Sequence, residues 1–113
     1  MRRKDIINHL TKFTTDLMDA GLYLPTLFVF NHRDIWYLEA NYFSNIFVIS
    51  LTEQNDDILF VLGDANKLHR YLIDVRCDYN AAVCQTVDLI QHQILFSCTP
   101  LFNEDSYISF IEE

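Results

Sequence analysis

The sequence predicts one α+β domain over residues 1–113, an antiparallel sheet flanked by helices. Three observations predict it. Apolar residues recur at helical spacing near the N-terminus. Strand-like stretches rich in Phe, Ile, Val and Leu, separated by polar turns, fill the middle. Toward the C-terminus, helical and strand-like patterns alternate. Half of the 113 residues are hydrophobic and 21% are charged, which is enough apolar material for a real core. Glycine and proline occur twice each, and no tract has the composition of a linker, a repeat or a disordered segment.

The elements follow in chain order. Residues 4–20 read as a helix: Ile6, Leu10, Phe13 and Leu17 form one stripe, widened by Ile7 and Met18, and Gly21 is a natural stop. "TLFVF" (26–30) reads as a strand, "NHRD" as a turn, and "IWYLEA" (35–40) as the returning strand. "IFVISLT" (46–52) carries apolar residues on both faces for part of its length, as a central strand does. "EQNDD" is the clearest turn, and "ILFVLGD" (58–64) is the next strand. Residues 65–76 look helical through Leu68, Leu72 and Val75, with Tyr71 beside them. "AAVCQTVDL" and "HQILFSC" read as a final hairpin around Ile90–Gln91, and Asn103 as the cap of a short helix with Tyr107, Phe110 and Ile111. The expected order is α-β-β-β-(β)-α-β-β-α, with a short C-terminal helix.

Sixteen acidic residues face eight basic ones, a formal charge of −8, and no Lys or Arg follows Arg76. Phosphate binding needs clustered Lys and Arg, so a nucleic-acid partner is not expected, and a basic polypeptide is the natural complement of the C-terminal half. The plain alternative is that the charge keeps an apolar-rich chain soluble. No apolar run is long enough to span a membrane, and Asp5, His9, Lys12 and Asp16 interrupt any signal-peptide core, so a cytoplasmic location is expected. Cys77, Cys84 and Cys98 are an odd set without CxxC spacing and suit reduced thiols, with Cys84 and Cys98 as small core residues of strands.

The residues hold no glycine-rich phosphate loop and no HExxH or related metal spacing among His9, His32, His69 and His92. Asp56 and Asp57 read as turn residues rather than a carboxylate pair. No metal, no cofactor and no catalytic group is expected, and the chain reads as a binding module. Phe28, Phe30, Trp36, Leu38, Tyr42, Phe43 and Phe47 are more large apolar side chains than one sheet face can bury, so some must point away from the helices. An exposed apolar patch would mark an interaction site, and a helix covering the second face is the alternative.

The opening "DIINHLTKFTTDLMDAGL", the middle "FNHRDIWYLEANYFSNIFVISLTEQNDDILFVLGD" and the closing "HQILFSCTPLFNEDSYISF" resemble the class I chaperones of bacterial type III secretion. These are small acidic proteins with the order helix, three-strand meander, helix, hairpin, helix. "LPTLFVFNHRDIWYLE" and "ILFSCTPL" are most similar to the SsaM- and CesL-like subgroup that serves the secretion gatekeeper. The pattern covers most of the chain without one diagnostic motif. The family's last helix is usually longer, and four strand-like stretches exceed a three-strand meander.

The resemblance implies a non-enzymatic chaperone in the bacterial cytosol, at the base of the secretion apparatus. It would bind a secreted gatekeeper or effector and help control secretion. The short ending suits pairing with a second chaperone-like subunit. Phe13, Leu17, Phe28, Phe30, Trp36 and Leu38 are the expected partner anchors, with ordinary core as the alternative for each. By analogy with the family, Leu68, Tyr71, Leu72 and Val75 are the expected subunit interface. Two rivals remain: an immunity protein or phage-encoded inhibitor that binds a toxin or nuclease, and a small enzyme with a Cys–His pair.

Overall fold

The computed structural model describes residues 3–54, 57–64, 70–92 and 107–111. The chain is an α+β protein: one six-stranded antiparallel sheet with two helices packed on one face. Helix α1 (Arg3–Asp19) leads into β1 (Leu27–His32), β2 (Ile35–Tyr42), β3 (Asn45–Gln54), β4 (Asp57–Asp64) and β5 (Arg70–Ile73), then helix α2 (Tyr79–Gln91) and β6 (Ile108–Ile111). The strands lie in sequence order, so each hairpin pairs with the next and no crossover is needed.

Helix α1 is the expected one. Leu10, Phe13, Thr14 and Leu17 are its buried stripe. It ends on Gly21, whose φ of +111° a side chain would strain. The Gly21 N–H donates to the Met18 carbonyl (3.0 Å) and the Leu22 N–H to the Leu17 carbonyl (3.1 Å), while Leu22 folds into the core. The first four strands also fall close to their expected places, but they run further. Asn31 and His32 of "NHRD" belong to β1, Glu53 and Gln54 of "EQNDD" to β3 and Asp57 to β4 rather than to turns, and Asp56 lies outside the described residues. Arg33 and Asp34 both have positive φ (52° and 65°), the two-residue turn whose twist matches a β-hairpin.

The second half corrects the expected order. Residues 70–73 are a strand, not part of a helix, and 65–69 lie outside the described residues. Tyr71 and Ile73 are fully buried and pair with Leu62 and Phe60, a period-two pattern that gives β4 its neighbour. The stretch "AAVCQTVDL" is helical within α2, not the first arm of a hairpin. Asp78 caps that helix, its carboxylate accepting from the Ala81 N–H at 3.0 Å. Ala82, Val83, Thr86, Val87, Leu89 and Ile90 are buried, a helical stripe that the β-branched residues disguise. The Thr86 hydroxyl donates to the Ala82 carbonyl at 2.8 Å, so burial leaves it satisfied. The expected second arm beyond His92 lies outside the described residues, as does Asn103. Residues 108–111 are a strand, not a short helix, pairing Ile108 with Ile73. Cys84 is exposed on α2 rather than buried in a strand, and Cys77 is exposed too.

The core lies between the helices and one sheet face. It gathers Leu10, Phe13 and Leu17 of α1 and Val83, Val87 and Ile90 of α2 against Leu38, Phe47, Ile49, Phe60, Leu62, Tyr71, Ile73 and Ile108. Among the described residues, no helix packs on the opposite face, where Val48, Ser50 and Leu59 are nevertheless buried and the exposed apolar side chains lie toward β1.

Candidate partner-binding face

Strand alternation and register decide which side chains reach the face opposite the helices. Phe28 and Phe30 of β1 stand opposite Glu39 and Tyr37 of β2. Tyr37 is opposite Ser50 of β3, which is opposite Val61 of β4. These residues share one face, with Ile35, Val48 and Leu72. The Phe28 and Phe30 rings lie 5.8 Å apart at 21°, and Phe30 and Tyr37 lie 5.3 Å apart at 18°. Phe28, Phe30 and Tyr37 thus form one row of near-parallel rings. Phe28 is 57% exposed and Ile35 45%, a contiguous apolar patch.

Beside this row lies a hollow of about 180 Å³ lined by Ile35, Tyr37, Val48, Ser50, Val61, Gly63 and Arg70. Its cause is local: Gly63 sits between Val48 and Arg70, and Ser50 between Tyr37 and Val61, so small residues stand where neighbouring strands carry bulk. It falls below the roughly 300–1,000 Å³ usual for small-molecule sites and suits one inserted apolar side chain.

The expected anchors separate cleanly. Phe28 and Phe30 stand on this face. Trp36 is half-buried on the helix side, with the Arg3 guanidinium 4.7 Å above its ring. Phe13, Leu17 and Leu38 are 0%, 0% and 2% exposed, so these three are core and not surface anchors. The expected subunit interface is dispersed. Tyr71 is fully buried in the core, Leu72 points to the opposite sheet face, and Leu68 lies outside the described residues. Val75 lines a separate hollow of about 310 Å³ on the helix side, with His9, Lys12, Phe60 and Tyr79. Tyr71 and Leu72 are neighbours on strand β5 and point to opposite sheet faces, so they do not share one helical face.

Polar chemistry is concentrated at that second hollow. Lys12 Nζ lies 2.8 Å from the Asp16 carboxylate and 4.2 Å from the Tyr79 ring centre, and the Tyr79 hydroxyl donates to Asp16. The hydrogen bond from Lys12, then that from Tyr79, holds the Asp16 carboxyl below its ordinary range. Burial, then the bond to Asp16, raises the Tyr79 phenol. Lys12, Asp16 and Tyr79 engage one another, an arrangement that ties α1 to α2. Among the described residues, no three His, Cys, Asp or Glu side chains gather as a metal site requires, and no helix is long and apolar enough to cross a membrane.

Sequence reasoning passed over Ile35, Tyr37 and the Ser50–Gly63 hollow. Ile35 and Tyr37 were legible as the outward set of "IWYLEA" once the hairpin register was fixed. The hollow needed three strands placed side by side. Phe43, 81% exposed with φ of +54°, is a further exposed aromatic at the β2–β3 turn. No family model, curated protein or solved structure matches the chain.

Proposed function

We propose that this protein is a non-enzymatic chaperone of the type III secretion class, holding a segment of a gatekeeper or effector against the Phe28–Phe30 end of the sheet face opposite its helices, in the bacterial cytosol. The observation that carries the binding role is the row Phe28–Phe30–Tyr37 running into a hollow of side-chain size. Desolvated aromatics beside a pocket are the usual energetic centres of protein interfaces. Glu39, opposite Phe28, adds an acidic group to the patch, so an apolar segment bearing a Lys or Arg is the preferred client.

The secretion class rests on the sequence resemblance. The element order differs from the one that resemblance implied: five consecutive strands precede the second helix. A second reading has its own support. A formal charge of −8, with no Lys or Arg after Arg76, also suits an inhibitor of a basic toxin or nuclease.

Co-expression with the neighbouring genes, followed by light scattering on a sizing column, distinguishes these readings. A defined complex with a secretion component, lost in Phe28→Ser, supports the chaperone. A complex with a toxin or nuclease supports the inhibitor. No complex with either, or one indifferent to Phe28→Ser and Tyr37→Ser, removes the assignment of this face.

A further inference from the structure

Strand β1 ends the sheet, and its outer edge pairs with no strand among the described residues. The hairpin register fixes which backbone groups face outward. The two-residue turn makes His32 and Ile35 a hydrogen-bonded pair, so Phe30 with Tyr37 and Phe28 with Glu39 are bonded pairs as well. The Asn41 N–H donating to the Thr26 carbonyl (3.3 Å) continues the same phase. Leu27, Val29 and Asn31 therefore aim their N–H and C=O groups away from the sheet.

Edge strands are commonly blunted by Lys, Pro or a bulge. "LFVFNH" has no Lys and no Pro, and its register against β2 is continuous. It also carries no Asp or Glu, so although the chain is strongly acidic this edge offers nothing to a basic partner. What it does complement is itself. An antiparallel two-fold axis at Val29 sets Val29 against Val29 of a second copy, and Leu27 against Asn31. All three outward-facing residues then exchange both backbone bonds. The same register sets Phe28 of each copy opposite Phe30 of the other, so four phenylalanines line one face as cross-strand aromatic pairs. No charge meets a like charge along the strand.

We propose that two copies of this chain pair through β1, antiparallel about Val29, into one continuous twelve-stranded sheet. This does not rest on the secretion reading. The pairing joins the two faces opposite the helices into one apolar strip centred on the four phenylalanines.

Sedimentation equilibrium or light scattering across a concentration series tests it. The wild-type chain is expected to reach twice its 13.4 kDa mass. Asn31→Pro removes an outward N–H and alters an exposed side chain, so the β1–β2 ladder keeps its bonds. It is expected to weaken the dimer at least tenfold with an unchanged melting curve. Val29→Lys, at a half-buried side chain that also packs on the core, sets like charges opposite each other at the axis and should give the single-chain mass while still showing a cooperative melt. Ser44→Lys, an exposed change at the β2–β3 turn, should leave the dimer intact. A single-chain mass for wild type at every concentration overturns the proposal. So does a two-chain mass that survives both β1 variants, because the contact then lies elsewhere.

Discussion

Phe13 of α1 stacks on Phe60 of β4, with ring centroids 4.2 Å apart and planes inclined by 14°. This contact fastens the first helix to the middle of the sheet, and both rings are buried. It also settles what Phe13 is for. A side chain closed between a helix and a strand is not available to a client. Phe13→Ala is therefore expected to cost about 3–5 kcal/mol of stability, the range for emptying a buried aromatic site. Urea unfolding measures this. A loss below about 1 kcal/mol would mean the ring is not core.

The hollow on the opposite sheet face should respond mainly in binding. Ser50→Leu puts a larger apolar side chain into the hollow beside Tyr37, at a position only 9% exposed. The chain is expected to stay folded, with a stability cost no greater than about 1–3 kcal/mol, the range for enlarging a buried side chain. Client affinity should fall at least tenfold, read by isothermal titration with the partner recovered from co-expression. Unchanged affinity would show that no client side chain enters there.

Phe43 holds a positive φ of 54° while 81% exposed. A bulky residue in that conformation costs of order 1 kcal/mol or more. Phe43→Gly removes the strain and no buried contact of consequence, so the melting temperature should rise. If the exposed ring also meets the client, binding falls as stability rises. A lower melting temperature would count against the strain.

Two carboxylates make stability depend on acid. The hydrogen bond from Lys12 lowers Asp16, and that from Arg76 lowers Asp74, whose carboxylate lies 2.7 Å from the Arg76 guanidinium. A carboxyl depressed only in the folded state stabilises above its unfolded value, 3.8 here, and loses that contribution as pH falls through the folded value. The melting temperature should therefore drop on acidification below about pH 5, and the doubly substituted Asp16→Asn, Asp74→Asn chain should show a shallower drop. Both pairs are largely solvent-exposed, so the effect is modest and shrinks with added salt. Equal acid slopes in the two chains would remove these pairs as its source.

Asp78→Ala tests the start of α2. Losing the bond to the Ala81 N–H should cost about 1 kcal/mol, and Asp78→Ser should recover most of it. Thermal melts of the three chains suffice. An Asp78→Ala chain as stable as wild type would show that packing alone fixes this helix end.

Local signals made α1 and the first four strands legible. The Leu10, Phe13 and Leu17 stripe, the Gly21 stop and the "NHRD" turn each act within a few residues, where covalent geometry and side-chain spacing decide the outcome. The excess of aromatics between Phe28 and Phe47 likewise announced an apolar surface. Its membership was only half legible, because sheet register sorts Phe28 and Phe30 outward and Leu38 inward, and register depends on two strands at once.

The tertiary structure decided the rest. "RYLI" carries both a helical and an alternating pattern, and the unpaired edge of β4 chose the strand. "AAVCQTVDLIQ" looks strand-like by residue type, yet its i, i+4 stripe found the groove beside α1, and Asp78 supplied the cap. "ISFI" is too short to have a conformation of its own and takes one from β5. By itself the sequence determined the class, an acidic α+β domain with more aromatic surface than one core can hold. Only the packed sheet determined which of those rings face the solvent, because short segments take their final form from neighbours distant in the chain.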